Sequence, residues 1–370
     1  MSLLGKTANT KNYMVGLSGG VDSSTVCALL QSFGHQLQPI FMHNWEEDAH
    51  CHISDDIAEC QAVCKHLNLD LEVINFQKAY FHEVFEHSLQ LLKQGLTPNP
   101  DIMCNSRIKF QLLSQHARSK GFDALATGHY ARTESRDSQV ALIQAPDPVK
   151  DQTYFLSQLT QEQLAFAYFP LGQYEKSQTR AMAQKFQLPN AHRKDSVGIC
   201  FVGDRQFSKF LQQYLLTRPG DIVTPDGVII GTHTGLFCYT IGQRKGLGIG
   251  GVKNAESSPW YVIDKDIPNN QLIVSQNEQL LMKRMVKLDH IHWIRNAPPE
   301  TKTLQAKLRH GPEFIAVTLD VNSLYVTFHK PQLAPTPGQH LVFYLDSECL
   351  GGGMIVDTYT DDKPPNTNHS

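Results

Sequence analysis

Residues 18–24 read Ser18-Gly19-Gly20-Val21-Asp22-Ser23-Ser24, between an apolar run from Tyr13 to Leu17 and a helix-like run from Val21 to Leu30. A strand that ends in two glycines and turns straight into a helix gathers several backbone N–H groups at the positive end of that helix. Such a point attracts phosphate, so ATP is the first ligand to consider. The pattern is not the Walker loop, because no Gly-Lys-Ser/Thr follows. A Gly-Gly turn by itself is also an ordinary strand-to-helix connection, and here the Ser and Asp neighbours favour the phosphate reading.

Working outward, strand signals at 12–17, 37–42, 70–75 and 123–127 alternate with helix signals at 21–33, 54–68, 79–94 and 101–119. That alternation predicts an α/β fold, a parallel sheet with helices on both faces, and ligands in such sheets bind beyond the carboxyl ends of the strands. From 160 to 216 the pattern is mainly helical. Glycines and Pro225-Asp226-Gly227 then divide 221–250 into short β-like runs. After about 256, the runs Trp260–Ile263, Leu272–Val274, Ile315–Leu319, Leu324–Phe328 and His340–Tyr344 predict a small antiparallel barrel. The expected division is 1–160, 161–255 and 256–360, with a polar, disordered tail at 361–370.

With 370 residues, 41% hydrophobic and 19% charged, the chain has the composition of an ordinary globular protein of two or three domains. No apolar run approaches the roughly 20 residues that cross a membrane, and no secretory layout opens the chain, so a cytoplasmic location is expected. The net charge of −3 is unevenly spread: residues 1–150 carry 12 Lys+Arg against 16 Asp+Glu, and residues 171–253 carry 11 against 5. The second stretch is expected to face a polyanion, with a solvated helix surface as the plain alternative.

Two cysteines sit in irregular, motif-like surroundings. In Thr97-Pro98-Asn99-Pro100-Asp101-Ile102-Met103-Cys104-Asn105, Pro100 and Asp101 suit a first helical turn, and a thiol one turn in has a reason to ionise; the alternative is a buried structural cysteine. In Asp195-Ser196-Val197-Gly198-Ile199-Cys200-Phe201 the cysteine follows a glycine. Cys51, His52, Cys60 and Cys64 could suggest zinc, but Cys60 and Cys64 lie one turn apart on an apolar helix face, which favours core packing, and no metal site is expected.

The string SGGVDSS resembles the PP-loop of ATP pyrophosphatases. Together with NPDIMCN, ATGHYA (126–131), KDQTYFL (150–156), DSVGICF, YTIGQRKGLGIG (239–250), TPGQ (336–339) and CLGGG (349–353), it resembles the bacterial tRNA-uridine 2-sulfurtransferases, the MnmA family, over nearly the whole chain. The resemblance implies that Gly16, Leu17, Ser18, Gly19, Gly20, Val21, Asp22 and Ser23 bind ATP with Mg²⁺, and that Met42 and Gly128 border the adenosine. It implies adenylation of the C2 oxygen of the wobble uridine in tRNAs for Lys, Glu and Gln, followed by sulfur transfer. Cys200 would carry a persulfide received from a sulfur-relay protein fed by a cysteine desulfurase. Cys104 would be the nucleophile that frees the sulfur and leaves a Cys104–Cys200 disulfide, although direct attack by the persulfide stays open. Asp101 would be an acid/base group beside the target base, with Asn99 and Pro100 in the same pocket. His129, Lys150, Asp151, Gln152, Arg309, His310 and Gln339 match tRNA contacts, the family more often having Tyr at the place of His310. Two other readings remain: a PP-loop amidotransferase-like ligase, which needs no paired cysteines, and a non-catalytic RNA-binding module on an ATP fold.

Overall fold

In the computed structural model, residues 10–46, 53–194, 207–249, 258–295 and 303–361 are described. Strand β1 (Asn12–Gly16) is followed by helix α1 (Val21–Ser32), β2 (Gln36–His43), helix α2 (Ile53–Leu67) and β3 (Glu72–Asn75). Two long helical runs follow, 77–93 and 100–119, each containing a stretch of wider, π-type turns, at Phe81–Glu86 and Cys104–Leu113. Arg107, in the second wide stretch, donates to the Glu83 carbonyl in the first at 2.9 Å. After β4 (Ala124–Ala126) come a hairpin, β5 (Ala131–Arg136) and β6 (Gln139–Gln144), and a short β7 (Ala167–Tyr168).

The first sheet is parallel in the order β3-β2-β1-β4-β7. Its strands are apolar because both faces are covered: Met14, Val15, Ile40, Leu125 and Ala126 are fully buried. Strand β1 is central, and the chain leaves it towards β2 on one side and towards β4 on the other. The turns after β1 and β4 therefore lie together at the carboxyl edge, the place where a doubly wound sheet holds its ligand.

A second sheet joins β8 (Gly220–Val223), β9 (Ile229–His233), β10 (Tyr261–Asp266) and β11 (Gln271–Ser275) in the order β10-β11-β8-β9. The runs at 260–263 and 272–274, expected in the barrel, thus belong to the middle of the molecule: β11 pairs in parallel with β8. Alternating apolar residues announce a strand but do not name its partner.

The last sheet contains β12 (Met282–Leu288), β13 (His292–Trp293), β14 (Thr303–Lys307), β15 (Ile315–Asp320), β16 (Tyr325–Leu333), β17 (His340–Leu345) and β18 (Glu348–Tyr359). Six of these close into an antiparallel barrel, β12-β16-β15-β14-β17-β18, with β18 pairing back onto β12. Val286, Leu304, Val317, Phe328, Phe343 and Ile355 fill it. The β5–β6 hairpin, from the first part of the chain, adds to the far edge of β18 through Ile143 and Leu142, so the barrel is docked on the nucleotide-type domain by shared sheet hydrogen bonds. No helix among the described residues is long and apolar enough to cross a membrane.

Candidate active site

The loop after β1 is held by its own side chains. Ser18 N–H donates to Ser23 Oγ at 3.1 Å, the two hydroxyls lie 3.2 Å apart, and Ser23 and Ser24 hydroxyls both donate to the Gly20 carbonyl. Gly19 has φ +75, and Gly20 is the N-cap of α1 with no side chain closing the helix end. A 12-residue helix thus presents its first N–H groups uncapped, the arrangement that accepts a phosphate. Gly128, in the turn after β4, lies so close that a Cβ there would sit 2.9 Å from Ser23 N. That approach is the reason Gly128 must lack a side chain, and it puts the two turns the sequence reading named against each other. Gly16 ends β1, Leu17 N–H bonds to the Ile40 carbonyl at 2.8 Å, Val21 opens α1, and Met42 lies in β2.

Three residues that the sequence reading assigned to a general basic region converge on this loop. Lys176 Nζ lies 2.8 Å from both carboxylate oxygens of Asp22, to which Tyr130 also donates at 2.9 Å. Asn190 donates to the Gly19 carbonyl and to Ser24 Oγ. Arg193 donates to the Gly19 carbonyl at 3.1 Å and pairs with Asp56 at 2.6 Å. Part of the basic excess, expected to face a polyanion, therefore packs against the phosphate loop. A charge count gives no direction to a side chain, so nothing in the sequence signalled these contacts.

The cysteine loop is built differently. Asn99 Oδ1 caps the helical run at 100–119 by accepting from Ile102 N–H, and Pro100 occupies the first turn. Gln339 donates to the carbonyls of Thr97 and Pro98 at 2.8 and 3.2 Å, and Thr97 N–H bonds to the Pro337 carbonyl. Gly338 has φ +95, and a Cβ on it would lie 2.5 Å from Thr97 N, so the TPG turn and the cysteine loop pack backbone to backbone. Gln339 is thus a strut for this loop.

Cys104 begins the wide helical stretch. Burial pushes its thiol up to about 11, Lys109 opposing and Asp101 adding to the rise. The pull of the helix end towards ionisation is thus opposed by desolvation. Asp101 keeps an exposed surface, yet desolvation by the surrounding protein raises its carboxyl from the ordinary value, against the pull of Lys109. Cys200 and its motif lie outside the described residues, as do Cys51 and His52. Cys60 and Cys64 pack in the core with Cys27, their thiols pushed up to about 12 and about 11, chiefly by burial.

Segment 150–156 joins these parts. Gln152 exchanges two hydrogen bonds with Tyr130, through its side chain at 3.0 Å and its N–H at 2.8 Å. Asp151 is buried against Lys307 of the barrel at 3.3 Å, and Thr153 donates to the same carboxylate. Tyr154 donates to the His340 carbonyl, and Asn105, next to Cys104, donates to the Phe155 carbonyl. His310 stacks on Phe155 with ring centroids 5.0 Å apart and bonds to the Asp151 carbonyl; desolvation of the ring face packed on the protein lowers its pKa although the residue keeps an exposed surface. Of the residues named as tRNA contacts, Arg309 and His310 are exposed and Lys150 half-buried. The Asp151 carboxylate and the His129 ring point into the protein: His129 bonds to Thr127 at 2.8 Å between Phe110 and Phe169, where burial lowers its pKa well below the usual value.

A parallel sheet with an uncapped, glycine-lined phosphate loop at its switch point, joined to a cysteine helix and a closed barrel, defines an α/β protein of the PP-loop class. Residues 11–204 match the family described as tRNA methyl transferase HUP domain, 208–276 its PRC-barrel domain and 283–355 the aminomethyltransferase beta-barrel domain. A tRNA-specific 2-thiouridylase MnmA of Coxiella burnetii is 46% identical over 92% of this chain and 97% of its own. One from Pseudomonas savastanoi pv. phaseolicola is 45% identical over 93% and 94%. The chain belongs to the MnmA family of tRNA-specific 2-thiouridylases.

Proposed function

We propose that this protein uses ATP to thiolate C2 of the wobble uridine in tRNAs for Lys, Glu and Gln, in the cytoplasm. The phosphate loop, from Gly16 to Ser23, would hold the triphosphate with Mg²⁺, and Met42 and Gly128 the adenosine side. Attack of the C2 oxygen on the α-phosphorus releases pyrophosphate and makes that oxygen part of an AMP leaving group. Cys200 would bring sulfur as a persulfide from a relay protein. The Cys104 thiolate attacks the Cys200 sulfur, hydrosulfide leaves to displace AMP at C2, and the resulting disulfide needs two electrons from an external thiol. Asp101, whose environment favours the protonated form, would serve as the acid/base group.

With burial pushing its thiol up to about 11, Cys104 would need help to ionise, and bound tRNA would supply it. Docked RNA closing the loop of Asn99 and Pro100, with Lys109 nearby, provides the occasion. The surface for tRNA would comprise Lys150, Gln152, Arg309 and His310, with His129, Asp151 and Gln339 acting by holding neighbours in place. The catalytic unit would be the first 160 residues, with a middle unit running to about 275 and the barrel beyond it.

The observation that carries this reading is segment 150–156, which bonds to the phosphate loop through Tyr130, to the cysteine helix through Asn105 and to the barrel through Lys307. The surface proposed to touch tRNA would thereby be tied to the phosphate loop and to the cysteine helix. Mass spectrometry of wobble nucleosides after incubation with tRNA, ATP and a sulfide source is expected to show 2-thiouridine. Amidated or unmodified uridine would exclude the thiolase.

A further inference from the structure

Asp22 poses an electrostatic problem. As the second residue of α1 it sits in the first turn of an uncapped helix, where a carboxylate complements the helix dipole but repels a polyphosphate. Both of its oxygens are held by Lys176 Nζ at 2.8 Å, and one also by Tyr130. The Asp22 side chain is 30% exposed and that of Lys176 12%, so the pair lies at the wall of the site, within reach of an entering ligand.

The backbone of Lys176 is firmly placed. Its N–H donates to Asp147 at 3.1 Å, and Glu175 with Gln178 forms the capping box of helix Lys176–Lys185. The fixed end is the backbone, and the mobile end is a four-carbon stem with a rotatable ammonium, a point charge suited to phosphate. The neighbouring cation differs in this respect. Arg193 is engaged by the Gly19 carbonyl and by Asp56, contacts that shape the loop.

We propose that Lys176 is a phosphate-binding residue of the nucleotide site, its amine passing from the Asp22 carboxylate to the β- and γ-phosphates when ATP enters. The exchange keeps one cation between carboxylate and polyphosphate, and it would leave Asp22 available to a magnesium ion accompanying the triphosphate. This rests on the ATP reading above and adds to it a residue outside the phosphate loop.

Calorimetric titration of the full chain with ATP and, separately, with AMP, both with Mg²⁺, tests it. Lys176→Ala is expected to weaken ATP on the order of 10- to 100-fold, as loss of one charge-assisted contact implies, and to leave AMP unchanged. Lys176→Arg should restore part of the ATP affinity. Should Lys176→Ala not fold, Lys176→Met keeps an unbranched stem of similar length without the charge and must show the same selective loss. Equal weakening of ATP and AMP, or ATP binding unaffected by either variant, overturns the assignment while leaving the ATP reading intact. Wild-type protein that binds no ATP overturns both.

Discussion

The phosphate loop and the cysteine loop are both turns that lead into a helix, and they treat the helix end in opposite ways. After Gly20 the N-terminus of α1 has no side-chain cap and its donors stay available. After Asn99 the helix end is closed by the Asn99 side chain and by Pro100, which brings no N–H. The first turn keeps its positive end for a ligand. The second uses it internally, and burial pushes the thiol of Cys104, one turn later, up to about 11. The same local motif becomes an anion site or a shielded thiol according to who satisfies the first N–H groups.

The two loops also differ in what holds them. The phosphate loop is braced from within and by Lys176, Asn190 and Arg193 of the middle of the chain, whereas the cysteine loop depends on Gln339, some 240 residues away beside the barrel. Substitutions in the barrel should therefore damage the cysteine side first. The largest effect is expected from Lys307→Met, which leaves the Asp151 carboxylate buried and unpaired. Denaturant unfolding should show a loss of about 3–5 kcal/mol. An unchanged midpoint would mean that the barrel is not held through this pair.

The thiol itself gives the next test. A pKa of about 11 makes Cys104 neutral below that pH, so its reactive thiolate grows about tenfold per pH unit from pH 7 upward and levels off near 11. An ordinary cysteine levels off near 8.5. Alkylation at pH 7, read by peptide mass spectrometry, should be at least roughly 100-fold slower at Cys104 than at a free thiol. Addition of tRNA should narrow that gap if docking ionises the thiol. Fast alkylation without tRNA would erase the contrast between the loops.

Gly338→Ala should cost about 1–3 kcal/mol, because the residue has φ +95 and its new Cβ meets the Thr97 backbone. Thiolation should fall while ATP affinity holds, which separates the loops by function. Asn99→Ala, removing a helix cap, should cost about 0.5–2 kcal/mol in thermal or denaturant unfolding, again with ATP binding retained.

How much could be read in advance follows the same line. Ser18 to Ser24 was legible because a strand, two glycines and a helix are adjacent in sequence and their bonds are local. The barrel strands at 315–319, 324–328 and 340–344 were legible by alternation, yet the strands at 260–263 and 272–274 were given to the wrong sheet, since alternation does not encode that β11 pairs with β8. Segment 150–156 was noticed through resemblance as a tRNA contact, but its bonds to Tyr130, Lys307 and Asn105 depend on tertiary neighbours. Lys176 and Arg193 were visible only as positive charges. The desolvation that opposes the helix end at Cys104 arises from packing, which no spacing of residues announces.

The most direct test of the division between the two loops is pyrophosphate release from ATP in the presence of substrate tRNA, measured together with 2-thiouridine formation from a protein persulfide donor, for wild type, Asp22→Ala and Cys104→Ser. The account predicts that Cys104→Ser still releases pyrophosphate in a tRNA-dependent manner while making no 2-thiouridine, and that Asp22→Ala loses both. Full thiolation by Cys104→Ser, or loss of its pyrophosphate release in folded protein, would contradict it.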